Sequence, residues 1–385
     1  MSRLTSVLKI GFAVLGLVIS QSTLTAQVPY RLEDFEPKGT VGGLGYTNIN
    51  GNPYARAALN PELNWGPFST GFDLNYYIPM NGNASSFANV VFRHAAFDWE
   101  EQHGIKWGRL TGVTFGQGLL MDNYDTGGGG SAEFTPEKTG VLGYTTWKPV
   151  QLKAMRTAQG LYAGRITFQH DDSFILGAPI VFGATYVNDE VRNSQIKYGY
   201  SGDVSVPIGG EFFTLYTEYA RLSNEGDGIG SGFRGDFLGM FNYRLEYRDF
   251  QSNFIPSLYS SVYEAASSIK SNKTGSRLSG ILGSAGASFF DGYFKTGLKY
   301  EKYGDVDLLT ASAGWKPIAN TVGVINYIKP FKGVTSELDV DILMSTQGGL
   351  EYVLSYKKSD GGPMANESYN IAFRTNLSHA FGLPF

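Results

Sequence analysis

The sequence predicts an all-β fold: a transmembrane antiparallel up-and-down β-barrel of about 16 strands (14–18) in one domain. Three observations predict it. Apolar and aromatic residues recur at every second position in run after run. The chain opens with a basic, then apolar, then small-residue stretch, and no other long apolar run follows. Aromatic residues make up 14% of the 385 residues and glycines number 50, yet mean hydropathy is only −0.16 and cysteine is absent. Low hydropathy with many aromatics and glycines suits a sheet with one apolar face, one polar face and many turns.

The elements follow in chain order. MSRLTSVLK carries Arg3 and Lys9 and no acid, IGFAVLGLVIS is apolar, and STLTAQ offers a cleavage point after Ala26. Residues 1–26 therefore read as an export signal peptide. Their removal takes away two positive charges, so a net charge of −4 becomes −6. An acidic chain lacks the basic surface that nucleic acid requires.

Strand patterning begins with Phe72, Leu74, Tyr76 and Ile78 opposed to Asp73 and Asn75. Tyr162, Ile166 and Phe168 oppose Arg165, Thr167 and Gln169, and Ile180, Phe182, Ala184 and Tyr186 form another stripe. Phe241, Tyr243, Leu245 and Tyr247 share one parity, and Asn242, Arg244, Glu246 and Arg248 the other. Phe290, Phe294, Leu298 and Tyr300 oppose Lys295, Lys299 and Glu301. Leu338, Val340, Ile342 and Met344 oppose Glu337, Asp339 and Asp341, and Leu350, Tyr352, Leu354 and Tyr356 oppose Glu351, Ser355 and Lys357. The closing run alternates Tyr369, Ile371, Phe373, Thr375, Leu377, His379, Phe381, Leu383 and Phe385 against a small or polar face that includes Arg374. Period-two alternation marks half-buried strands. Turn signals such as YGD at 303–305, QGG at 347–349 and DGG at 360–362 separate them.

Two all-β readings compete: a soluble sandwich or propeller with the stripes inside, and a membrane barrel with the stripes against lipid. Tyrosines at stripe ends (Tyr243, Tyr247, Tyr300, Tyr352, Tyr356) favour the barrel, because amphipathic rings suit the two interfaces of a bilayer. The predicted interfacial or lipid-facing aromatics are these with Phe241, Phe373, Phe381 and Phe385.

On these residues the chain resembles Gram-negative outer-membrane β-barrels of the porin-like type. The closing strand, Tyr369 to Phe385, is similar to the C-terminal signal that the barrel-assembly machinery reads, although Pro384 departs from it by lacking a ladder donor. ARAALNPELNWGPF, GIKWGRLTGVTFGQGLLMDNYDT and NFIPSLYSSVYEA also resemble segments of such barrels. The resemblance implies an N-terminal periplasmic segment at 27–39, a barrel over 40–385, contact with outer-membrane lipid, and a homo-oligomer as one common arrangement. It implies a porin-like channel for passive diffusion of small polar solutes. The alternative is a non-conducting barrel with a structural, assembly or loop-mediated binding role.

Residues of the polar parity are the expected lumen-lining set: Asp73, Arg165, Arg244, Glu246, Arg248, Lys295, Lys299, Glu337, Asp339, Asp341 and Arg374. Opposed charges in a lumen can orient polar solutes; the plainer reading is that they solvate the wall and pair across strands. Residues 250–274 break the alternation and place Leu258, Val262, Ala266 and Ile269 on one helical face, so this segment, on the outer side, is expected either as a constriction loop at the barrel mouth or as an external loop packed on the rim. The same count makes 223–236 a periplasmic loop. No metal site or cofactor is expected. Carboxylates at Glu337, Asp339 and Asp341 stand about 7 Å apart along a strand, too wide for one ion. MDNYDTGG (121–128) lacks the calcium-loop pattern and reads as a turn. No enzyme is expected either: His94, His103, His170 and His379 fall in no catalytic pattern, and G-x-S-x-G, H-E-x-x-H and P-loop signatures are missing.

Overall fold

The structure is a computed structural model that describes residues 41–376, apart from 50–51, 81–84, 101, 127–138, 172–177, 190–197, 210–211, 252, 261–262, 264–276, 291–292, 305, 319–320, 331–335, 346–349 and 361–365. The expected signal peptide (1–26) and periplasmic segment (27–39) lie outside the described residues, as do Val262, Ala266, Ile269, Phe381 and Phe385.

Strands β1 (Val41–Ile49), β2 (Asn52–Asn60), β3 (Glu62–Trp65), β4 (Phe68–Pro79), β5 (Phe87–Trp99) and β6 (His103–Gly108) come first. A short hairpin, β7 (Val113–Phe115) and β8 (Met121–Tyr124), interrupts the wall. The wall resumes with β9 (Gly140–Trp147), β10 (Val150–Thr157), β11 (Tyr162–His170), β12 (Ile180–Asn188), β13 (Tyr198–Ile208), β14 (Phe213–Leu222), β15 (Gly226–Phe237) and β16 (Phe241–Phe250). It ends with β17 (Leu278–Phe289), β18 (Phe294–Tyr303), β19 (Val306–Ile318), β20 (Thr321–Pro330), β21 (Ser336–Ser345), β22 (Leu350–Asp360) and β23 (Asn366–Asn376).

Each wall strand pairs antiparallel with its neighbours, and β1 pairs with both β2 and β23, so the sheet meets itself. This is the up-and-down all-β barrel that the alternation predicted. β2 and β3 are two stretches of one stave, split at Pro61, which has no N–H for the ladder. The Pro61 carbonyl still accepts the Phe72 N–H at 3.0 Å. The described wall thus holds twenty staves rather than about 16. Connections of only two to four residues join most neighbouring staves. Residues 226–237, expected inside a loop, form β15; the 223–225 turn lies on the same rim as 251–277.

The two faces are inverted relative to a soluble protein. On β16, Leu245 and Tyr247 are 46% and 54% exposed, whereas Glu246 and Arg248 between them are 1% and 0% exposed. Ile166, Phe182, Leu215, Ile281 and Leu298 share the outward face. Exposed aromatics gather at its two edges. Trp65, Phe68, Trp99, Trp147, Phe212, Phe237, Phe241 and Phe290 sit near the rim where β1 begins and β23 ends. Tyr162, Tyr186, Tyr198, Tyr200, Tyr219 and Tyr247 sit near the far rim. Phe241 and Tyr247 are six residues apart, about 20 Å along the strand. Among the described residues no helix is long and apolar enough to cross a membrane, a measure that does not apply to strands. Among the described residues the apolar core lies on the concave side, built by residues 110–124 and by Phe254, Leu258, Tyr259 and Tyr263 against the wall near the far rim.

Candidate functional site: an inward hairpin on a charged wall

Residues 109–126 fold into the lumen. GVTFGQGLLMDNY supplies the hairpin chemistry: Gly112, Gly116 and Gly118 adopt φ of 66°, 70° and 89°, where a side chain is disfavoured. The neck closes where Thr126 N–H donates to Leu110 O at 3.0 Å and Leu110 N–H donates to Thr126 Oγ1 at 3.1 Å. Arg109 pairs with the buried Asp125 at 3.3 Å. Leu110, Val113, Phe115, Leu119, Leu120, Met121 and Tyr124 are buried against Met155, Leu161, Ala163, Val187, Ala220 and Leu222 of the wall.

A second segment backs the hairpin. Ser257 N–H donates to Leu119 O at 2.8 Å, and Ser257 Oγ donates to Gly118 O at 2.7 Å. Met121 and Tyr259 form a parallel bridge, with Asp122 N–H donating to Tyr259 O at 3.0 Å. Phe254, Leu258, Tyr259 and Tyr263 complete the apolar cluster. Burial pushes the Tyr259 hydroxyl well above the usual phenol range. Of the expected constriction loop, Leu258 is described and buried here; no α-helix occurs in the described part of 251–277. The segment lies behind the hairpin, and the hairpin reaches the charged wall.

That wall is a ladder of ion pairs along the inner face. Arg165 on β11 grips Asp203 on β13 with two hydrogen bonds, at 2.6 and 2.9 Å. The pair crosses β12 over Gly183, where a Cβ would collide with both partners. Gln117 Nε2 donates to Asp203 at 3.1 Å. Glu218 Oε2 accepts the backbone N–H groups of Gln117 at 3.0 Å and Leu119 at 2.8 Å. Arg244 donates to Gln117 O at 2.5 Å and pairs with Glu246. Glu246 also takes Arg248 Nε at 2.5 Å and the Tyr216 hydroxyl at 2.6 Å. Arg248 donates to Tyr303 at 3.0 Å, Tyr303 to Glu301 at 3.1 Å, and Lys299 pairs with Glu301 at 2.5 Å. Lys153 donates to Thr114 O at 3.3 Å. A segment that touches β10, β11, β13, β14 and β16 lies on the concave face, which places it in the lumen.

Five of the residues picked out by parity therefore stand together: Arg165, Arg244, Glu246, Arg248 and Lys299. Lys295 lies half-buried on the same parity of β18. The side chains of Asp73, Glu337, Asp339, Asp341 and Arg374 lie outside the described ones. Their backbones are placed: Asp339 lies opposite Lys357, and Arg374 opposite Glu351 and Gly43. Among the outward aromatics Phe241 and Tyr247 are exposed, Tyr243, Tyr300 and Tyr356 are half-buried, and the side chains of Tyr352 and Phe373 lie outside the described ones. Sequence reasoning missed the hairpin, Asp203, Glu218 and Arg234. MDNYDTGG, read as a turn, supplies β8 and the neck.

No protein-family model and no curated protein matches the chain. Solved structures of outer-membrane barrels do. The Pseudomonas aeruginosa outer membrane protein OpdK is 10% identical, with 87% of this chain and 97% of that chain aligned at a TM-score of 0.39. Acinetobacter baumannii OccAB3 is 11% identical, covering 87% and 97% at a TM-score of 0.36. Wzi, an Escherichia coli outer membrane protein involved in group 1 capsule assembly, is 10% identical, covering 88% and 84% at a TM-score of 0.39. The likeness is one of fold alone.

Proposed function

We propose that the protein is an outer-membrane channel through which small polar solutes diffuse, with the 109–126 hairpin setting the width of the path. One observation carries the reading: the barrel presents an apolar band outward and an ion-pair ladder inward. Hydrocarbon can meet such an outer face, and water suits such an inner one. Barrels of 16 strands and more are wide enough for an aqueous lumen. The hairpin leans on β10–β16, so the path runs between it and the opposite wall. The basic and apolar start of the chain supports export, and the closing aromatic alternation supports delivery by the barrel-assembly machinery. Passive diffusion requires no catalytic group, and no role for one is proposed.

Planar-bilayer recording of the purified protein tests the reading. Steady ohmic steps are expected, and replacing 112–124 by a short Gly-Ser linker should enlarge them. Silence of the wild type, with steps only after the hairpin is removed, would replace the channel by a closed barrel. That second reading is favoured by one feature, the dry cluster that hairpin and 254–263 form inside the lumen.

A further inference from the structure

The outward face changes character at its far rim. Tyr219 on β14, Tyr247 on β16 and Tyr300 on β18 face outward, and the next outward residues toward that rim, about 7 Å further along each strand, are Arg221, Asp249 and Lys302. On β10 the last outward residue is Arg156, whose guanidinium lies over the Tyr162 ring, 4.9 Å from its centroid. Asp227 on β15, Arg277 just before β17 and Asp307 on β19 complete the outward charges of this rim from β10 to β19 among the described residues. The three carboxylates are engaged. Asp227 accepts the Tyr219 hydroxyl at 3.0 Å, Asp249 accepts Arg277 Nε at 2.5 Å, and Asp307 interacts with the Tyr300 hydroxyl. Three of the four cations are not. Arg156, Arg221 and Lys302 are exposed and make no ion pair or hydrogen bond among the described residues, although Arg221 stands in register between Tyr200 and Asp227. The near rim differs: its exposed aromatics include Trp65, Trp99 and Trp147, and Lys148 there lies in a turn.

A charge is costly in hydrocarbon, so this row marks the level of the lipid headgroups. A long basic side chain at that level lays its stem along apolar surface and carries its charge outward. Cations that no carboxylate neutralises attract phosphate, and a guanidinium can take two phosphate oxygens at once. We propose that Arg156, Arg221, Arg277 and Lys302 form an outward belt that binds phosphate-bearing lipid headgroups at the far rim. The occupant is a lipid rather than free phosphate, because the tyrosines and aliphatic residues directly beneath the belt offer a wall to the acyl chains of the same molecule. The inference concerns the outer face of the barrel and goes beyond the channel reading, on which it does not depend.

Diphosphoryl lipid A is the probe, with an uncharged galactolipid as its counterpart. Native mass spectrometry of the barrel in neutral detergent should show lipid A retained, at least about tenfold more weakly in the triple variant Arg156→Gln, Arg221→Gln, Lys302→Gln and about fivefold more weakly in Arg221→Gln alone. Retention of the galactolipid should be the same in all of them. Lys148→Gln removes a cation from the near rim and should leave lipid A retention at the wild-type level. Heat-modifiable migration on gels establishes that each variant is assembled; if the triple variant is not, Arg221→Gln carries the comparison. Lipid A that is not retained by the wild type, or whose loss in the assembled variants is no greater than in Lys148→Gln, overturns the belt. Displacement of lipid A by an excess of inorganic phosphate would make the site one for free anions and overturn the lipid assignment.

Discussion

Glu218→Ala should undock the lumen hairpin. One carboxylate oxygen accepts both the Gln117 N–H at 3.0 Å and the Leu119 N–H at 2.8 Å, on a side chain that is buried on the wall. Alanine leaves both amides without an acceptor. Each orphaned buried amide costs ~1–3 kcal/mol, so the pair costs ~2–6 kcal/mol. Relief of the carboxylate's own desolvation offsets part of this, and a net of about 3 kcal/mol is expected. At ~1.4 kcal/mol per factor of ten, the open population rises by about a hundredfold. Hydrogen exchange of peptides spanning 113–124, followed by mass spectrometry on the intact barrel in detergent, reads that population directly. Glu218→Gln keeps an oxygen acceptor and loses the charge, so its fall in protection should be nearer tenfold. If the alanine variant exchanges within about threefold of wild type, the carboxylate does not hold the hairpin, and apolar burial alone keeps it docked.

Three further outcomes are expected. Leu245→Arg places a charge on the outward face of β16 and should destabilise the barrel by ~2–4 kcal/mol in liposome unfolding; a neutral effect would mean this face does not meet hydrocarbon. Gly183→Ala puts a methyl group where Arg165 and Asp203 meet, and breaking a buried pair costs ~3–5 kcal/mol. The temperature at which the folded gel band disappears should drop clearly, and an unchanged value would show that the pair can re-form around the methyl group. Ser257→Ala removes the 2.7 Å bond to Gly118 O, worth ~1 kcal/mol, and should raise hairpin exchange about fivefold while leaving the strands alone.

The sequence made one face of the barrel legible and left most of the lumen hidden. Alternation at Phe241–Arg248 separates outward from inward side chains because a strand has period two. The hairpin carries no such period. Phe115, Leu119, Leu120 and Met121 are buried by a wall remote in sequence, and nothing local names that wall. Of the helical stripe expected at 250–274 only Leu258 lies among the described residues, and it packs against the hairpin. The staves are more numerous than the strand spacing suggested, because connection length leaves little trace in composition. Arg234 had a readable signal. In GIGSGFRG, Gly228, Gly230, Gly232 and Arg234 share one parity while Ile229, Ser231 and Phe233 share the other. The glycines made the run look like a loop and concealed the alternation.

Those glycines have a physical reason that ties wall to site. Inward side chains of a barrel converge toward its axis, so large groups compete for the same space, whereas outward side chains diverge into lipid. A bidentate pair between β11 and β13 must cross the strand between them, and Gly183 leaves that crossing open. A Cβ at Gly230 would press on the Glu246 carboxylate, and one at Gly228 on Phe250 and Phe254. The empty inner face of β15 is therefore the space into which β16's charged row and the second lumen segment lean. Arg234 comes next on that same face, just past the last of the three glycines, where the filled row begins. A side chain at that boundary has room on one side and a cationic neighbour on the other.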